Sequence, residues 1–145
     1  MKLILFIVMA LCIQTGFAQS QKASTDDLQN FAKAIINNSE SYIYDIQSEE
    51  LKNLTKGMVR KDKSFTWHIK SPDLQNFSKA VIDKDRSFVG YIKSTDLRNL
   101  ALALISNDQS FLLNLKSRDL YAFAKALIGK DESYVRQINS GDFSF

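Results

Sequence analysis

The stretch "SPDLQNFSKAVIDKDRSFVGYIK", residues 71–93, returns in similar form as "SRDLYAFAKALIGKDESYVRQIN" at residues 117–139, with 12 of 23 positions identical. A repeat of fixed length predicts a fold of stacked copies, because one short unit cannot bury its apolar side chains alone. We call the position of a residue within this period its slot. Residues in the same slot of different copies can then be compared directly.

The same period runs through most of the chain. Ser48, Ser71, Ser94 and Ser117 are spaced 23 residues apart, and Thr25 fills the slot one period earlier. The predicted repeats are residues 25–47, 48–70, 71–93, 94–116 and 117–139, after a short linker at 19–24. Residues 140–145 begin a truncated sixth repeat, which we expect to act as a cap.

Each repeat contains the pattern of two helices. In the third repeat an N-capping Ser71 is followed by an acid in the first turn and by an apolar face that includes Leu74 and Phe77. Small residues beside this face allow close helix packing. A polar "KD" break then precedes a shorter helix, with its aromatic residue and the isoleucine four positions later predicted to face inward. The predicted fold class is all-α: a short α-solenoid of five two-helix repeats with a C-terminal stub over its last face. A single bundle of about ten short helices is the alternative.

Residues 1–18 have the pattern of a secretory signal peptide. Lys2 precedes an apolar run from Leu3 to Ile13, and small residues stand at Gly16 and Ala18. The run is shorter than the roughly 20 residues that a membrane-spanning helix needs. Lipidation at Cys12 is disfavoured because the bulky Leu11 precedes it. Cleavage after Ala18 predicts a secreted or periplasmic protein without cysteine or a transmembrane segment.

The composition disfavours several classes of function. The formal net charge is only +3, which argues against nucleic-acid binding. His68 is the only histidine, and no glycine-rich phosphate loop is present. We therefore predict a protein that is not an enzyme and has no catalytic, cofactor or metal site. Rows of lysines and acids recur with the period, and we interpret them as a solvated surface rather than a groove for an anionic polymer.

Two slots near the end of the second helix vary while the framework slots repeat. They include aromatic and apolar residues, and the helical geometry turns at least the first of the two slots outward. The predicted partner-binding residues are Tyr44, Trp67, His68, Tyr91 and Leu113. Packing of Trp67 on a neighbouring repeat is the alternative interpretation. The predicted function is an exported binding or scaffolding module for a protein or peptide; the alternative is a structural protein that self-associates end to end.

Overall fold

The structure, a computed structural model, describes residues 23–143 and residue 145. The predicted signal peptide and Cys12 lie outside these residues. Helices make up about 74 % of the described chain, which has no strand, and the predicted all-α class is confirmed. Within the same residues, no helix has both the length and the apolar character needed to cross a membrane.

In residues 23–143, five α-helices alternate with five 3₁₀-helices, one pair in each repeat. The α-helices are α1 (Thr25–Ile36), α2 (Glu49–Arg60), α3 (Pro72–Asp83), α4 (Thr95–Ser106) and α5 (Arg118–Gly129). The 3₁₀-helices are η1 (Glu40–Asp45), η2 (Lys63–His68), η3 (Arg86–Tyr91), η4 (Gln109–Asn114) and η5 (Glu132–Gln137). The predicted two-helix unit is thus confirmed.

Each α-helix begins after a serine that accepts a hydrogen bond from the exposed first turn. In α3, the Ser71 hydroxyl accepts from the Leu74 N–H at 3.4 Å, and α2, α4 and α5 begin in the same way. The first repeat differs, because Ser24 rather than Thr25 is the N-cap. Asp27 and Ser24 each accept from the other's backbone N–H, and this reciprocal capping box fixes the earlier start.

The short helices differ from the prediction in their geometry. They are six-residue 3₁₀-helices, in which residues three apart share a face. The fully buried pair in the first repeat is therefore Ile43 and Ile46, while the aromatic Tyr42 is only half-buried. The prediction that the aromatic and the residue four positions later face inward is correct in part, because the aromatics Phe88, Phe111 and Tyr134 pack against the core but are only partly buried. The prediction assumed α-helical spacing and missed the buried residue directly after the aromatic, such as Ile43.

The acid in the third slot has a role that the sequence analysis did not assign. It lies in the first turn of its own α-helix, and its carboxylate also accepts hydrogen bonds from the backbone that follows its 3₁₀-helix. Asp73, for example, accepts from the N–H groups of Lys93 and Ser94 at 2.9 and 2.7 Å. The same pair of bonds recurs in the other four repeats. This slot therefore ties each α-helix to the segment that follows its own repeat.

The core is built from slots that the sequence predicted to be apolar or small. The leucines at Leu28, Leu51, Leu74, Leu97 and Leu120 are buried, as are the residues three positions later: Phe31, Leu54, Phe77, Leu100 and Phe123. The small slots between them are buried too. At Gly57, an added Cβ would come within 2.8 Å of Ile82 Cδ1 of the next α-helix. Small residues therefore allow the close helix approach that was predicted.

The row of repeats is closed into a ring. Each α-helix packs on the one before and the one after it, and α1 also packs on α5. The rings of Phe31 and Phe123 meet at this closing junction, with their centroids 4.8 Å apart. In an open α-solenoid these two phenylalanines would stand at opposite ends, each with an uncovered side. The predicted open arrangement is corrected to a closed one, which buries both.

The closing junction uses the same side-chain bond as two of the four junctions within the chain. Gln29 Nε2 donates to the Ile138 carbonyl at 2.7 Å, and the equivalent Gln75 donates to the Ile69 carbonyl at 3.4 Å. Arg98, in the same slot, donates to the Ile92 carbonyl at 3.0 Å. The first repeat therefore follows the fifth in space as the fourth follows the third. Each α-helix thus has an α-helix neighbour on both sides, and this includes α1 and α5.

The C-terminal stub cannot stack on the fifth repeat as a sixth repeat, because α1 already packs on α5. Gly141 turns the chain with a φ of 66°, in the left-handed region that glycine tolerates. Asp142 then accepts from the Arg118 N–H and the Ser117 hydroxyl, both at 2.8 Å, at the start of α5. Phe143 is buried in the common core. The stub thus packs on the ring instead of extending a row.

Candidate functional site

All five predicted partner-binding residues lie at the surface. The exposed fraction is 76 % for Tyr44, 75 % for Trp67, 69 % for Tyr91 and 82 % for Leu113, and His68 is also exposed. Trp67 therefore does not pack into a neighbouring repeat as the alternative interpretation required. That these residues contact a partner stays a prediction.

The 3₁₀ geometry explains why both variable slots face outward. In η2, Thr66 and the cap residue Ile69 are three apart and buried. Trp67 and His68 fall between them and therefore point away from the core. The buried Thr66 hydroxyl donates to the Lys63 carbonyl at 2.6 Å, so its burial leaves no unpaired donor.

Ring closure changes how the predicted strip is arranged. Equivalent slots of successive repeats follow the circumference of the ring, so the five residues form an arc over the first four repeats rather than a straight flank. We call these residues, Tyr44, Trp67, His68, Tyr91 and Leu113, the aromatic arc. The fifth repeat completes the circuit with Arg136, which is exposed and charged.

A cation lies beside the centre of the aromatic arc. Lys79 Nζ is 5.4 Å from the centroid of the Trp67 ring and 5.8 Å from that of Phe88. Cation–π attraction favours this placement, since ring faces carry negative potential. Lys79 belongs to α3 and Trp67 to the preceding repeat, so the pair spans a junction. Sequence reasoning placed Lys79 in a solvated row and missed its contact with the tryptophan.

Ion pairs and capping bonds hold several charged side chains of the first two repeats. Arg60 Nε and Nη2 donate to the Glu40 carboxylate at 2.8 and 2.7 Å. This hydrogen bond lowers the pKa of Glu40 and raises that of Arg60. At the start of η2, the N–H and then the hydroxyl of Ser64 lower the pKa of Asp62. These side chains therefore keep their charges at neutral pH.

Tyr121 is a further exposed aromatic that the sequence analysis did not single out, with 37 % of its surface exposed. Its slot holds Gln29, Lys52, Gln75 and Arg98 in the other repeats, all long and polar. This departure was visible in the sequence.

Within the described residues, no cluster of three or more histidine, cysteine, aspartate or glutamate side chains is placed to hold a metal ion. Comparison with known proteins gives no match among family models, curated proteins or solved structures. The function must therefore be argued from the residues of this chain.

Proposed function

We propose that this protein is an exported, non-enzymatic binding module that recognises a protein or peptide through the aromatic arc. The observation that carries the proposal is the exposure of Trp67, 75 % of whose surface is in contact with solvent. Exposed tryptophan and tyrosine are over-represented among the residues that dominate binding energy at protein interfaces. A secreted or periplasmic location is part of the proposal and depends on the signal-peptide pattern in residues 1–18.

The surroundings of Trp67 indicate what kind of partner fits. Lys79 places a positive charge beside the indole ring, at 5.4 Å from its centroid. A partner that presents an apolar side chain next to a carboxylate would match both groups, since the lysine could pair with the carboxylate at the rim of the contact. The rigid 3₁₀ segment beneath Trp67, held by the buried Thr66 and Ile69, limits the entropy lost on binding.

Self-association end to end is the weaker of the two functions considered. Stacking of this kind needs a terminal face on which the repeats of a second molecule can continue. The contacts between α1 and α5 cover the faces that an open row would leave for it. Light scattering over a range of concentrations distinguishes the two: a binding module keeps the mass of a monomer, and a stacking protein grows in mass.

Trp67→Ala tests the binding surface. Because Trp67 is largely exposed, we expect the free energy of unfolding to change by no more than about 0.5 kcal/mol, while partner capture from extracts of the native organism falls sharply. Arg136→Ala is the matched control, since Arg136 has the same slot outside the aromatic arc. A partner retained equally by wild type and both variants would overturn the proposed surface.

A further inference from the structure

A cavity of about 360 Å³ lies at the junction between the fourth and fifth repeats. It is bounded by the end of the fourth repeat, the first turns of α5 and the end of the fifth repeat. Lys116, Arg118, Tyr121, Gln137 and Asn139 contribute its polar wall groups. Its volume falls within the range of small-molecule sites, about 300–1,000 Å³.

The cavity coincides with a break in the repeat pattern. At three other junctions, a glutamine or arginine in the slot of Tyr121 reaches back and donates to a carbonyl of the preceding repeat. Tyr121 makes no such bond to the equivalent Leu115 carbonyl among the described residues, because a phenol ring cannot follow the path of a flexible amide. The next slot, asparagine in every other repeat, is Ala122 in the fifth. Both replacements, Tyr121 and Ala122, line the cavity.

The chemistry of the cavity favours a negatively charged ligand. The side chains of Lys116 and Arg118 form no ion pair within the described residues, and no carboxylate lines the cavity. Lys125 adds a third positive charge, with Nζ 5.8 Å from the centroid of the Tyr121 ring. Gln137 and Asn139 supply amide groups that can donate to an anion.

Three carboxylates, of Asp96, Asp119 and Asp142, lie near the cavity, but their oxygens accept hydrogen bonds from backbone N–H groups. Asp119 accepts from the Asn139 N–H at 3.0 Å. Asp96 accepts from the N–H groups of Lys116 and Ser117 at 3.1 and 2.9 Å. Asp142 accepts from the Arg118 N–H at 2.8 Å and from the Asp119 N–H at 3.2 Å. Their charge is therefore directed at backbone donors, and the lysine and arginine side chains are left for a ligand.

We propose that this cavity binds a small organic carboxylate, with its ring on the face of Tyr121 and its carboxylate between Lys116 and Arg118. The face of a tyrosine ring accepts either an aromatic ring or the C–H face of a sugar. The shared chemistry is thus a six-membered ring that bears a carboxylate. The site is distinct from the aromatic arc and does not depend on its function.

An NMR titration of the ¹⁵N-labelled protein with galacturonate and with 4-hydroxybenzoate tests the site and separates the two sources. Galactose and 4-hydroxybenzyl alcohol are the uncharged counterparts. We expect one acid to shift the backbone amides of residues 115–122 and 137–139 with a dissociation constant of about 1 mM or lower. Its uncharged counterpart should bind at least about tenfold more weakly, because it lacks the charge-assisted hydrogen bonds.

Substitutions taken from the protein's own repeats provide the controls. Tyr121→Gln installs the residue of the third repeat and Arg118→Thr that of the fourth, and each should weaken binding of the acid about tenfold or more. Lys93 has the same slot as Lys116 but lies at the junction between repeats three and four, where Arg98 donates to the Ile92 carbonyl. Lys93→Gln should therefore leave binding unchanged. Circular dichroism establishes that each variant is folded, and Lys116→Gln replaces any that is not.

The proposal is overturned if neither acid produces saturable shifts, or if the uncharged counterparts bind equally well. Equal weakening by Lys93→Gln and Arg118→Thr would also overturn it, since this would show attraction to the overall positive surface rather than to the cavity.

Discussion

Two junctions of the ring show what sets the packing between repeats. The chain does not run directly from repeat five into repeat one. The junction between these two repeats nevertheless carries the side-chain bond of two internal junctions, from Gln29 to the Ile138 carbonyl at 2.7 Å. The junction between repeats four and five is covalently continuous, yet it lacks that bond and contains a cavity. The side chain present in each slot therefore decides how a junction packs, and chain connectivity does not.

The largest expected effect concerns the core of the closing junction. Phe31→Ala should lower the free energy of unfolding by about 3–5 kcal/mol, because Phe31 is buried against Phe123 of α5. Phe77→Ala, in the same slot of an internal repeat, is the matched control and should cost the same. Urea unfolding followed by circular dichroism measures both. A loss at Phe31 that is several kcal/mol smaller than at Phe77 would mean that the ring is open in solution.

The stub gives a smaller, pH-dependent effect. Partial burial opposes ionisation of Asp142, but hydrogen bonds from Arg118, Ser117 and Asp119 outweigh it and lower its pKa from 3.8 to about 2. A pKa lowered in the folded state stabilises the protein above the unfolded value, and this stabilisation is lost as pH falls through about 2. Asp142→Ala removes the hydrogen bonds that this carboxylate accepts at the start of α5 and should cost about 1 kcal/mol at neutral pH.

The pH profile distinguishes this effect from a general loss of packing. The difference in unfolding free energy between wild type and Asp142→Ala should be fully present above pH 4 and shrink as the pH falls towards 2. Asp45→Ala, which removes an exposed carboxylate with no hydrogen bond within the described residues, is the control for the loss of one surface charge. A difference that stays constant with pH would contradict the assignment.

Substitution of the two bridging glutamines compares how much the closing junction and an internal junction contribute to the free energy of unfolding. Gln29→Ala and Gln75→Ala should each cost about 1 kcal/mol, since each removes a donor to a carbonyl of the preceding repeat. Chemical denaturation of both variants gives the comparison. If Gln29→Ala were neutral while Gln75→Ala was costly, the closing junction would be looser than the internal ones.

The smallest effect is expected from placing a bridging glutamine at the junction between repeats four and five. Tyr121→Gln should change the free energy of unfolding by less than about 0.5 kcal/mol, because the new hydrogen bond is offset by lost burial of the half-exposed ring. The reverse change, Gln75→Tyr, should destabilise by about 1 kcal/mol through loss of the bond to the Ile69 carbonyl. Thermal unfolding compares the two. A stabilising Gln75→Tyr would show that the bridge is unimportant.

The outward position of Trp67 could be predicted although its helix type could not. The sequence analysis assumed α-helical spacing for the second helix, whereas the segment is a 3₁₀-helix with Thr66 and Ile69 inward. Both geometries turn Trp67 away from the core. His68 is outward for a reason that only the 3₁₀ period supplies. The contact of Lys79 with the indole was not predictable, because it joins two repeats across a junction.

The sequence by itself determined the unit: its length, its two helices, the serine caps and the apolar and small slots. These features depend on interactions among residues a few positions apart, so the spacing of residue types along the sequence predicts them. Only the tertiary structure decided that five units close into a ring. The curvature of the ring is the sum of small rotations between successive repeats. The bond at the closing junction joins Gln29 to Ile138, which are 109 residues apart. Residue spacing within one repeat therefore does not predict that the ring closes.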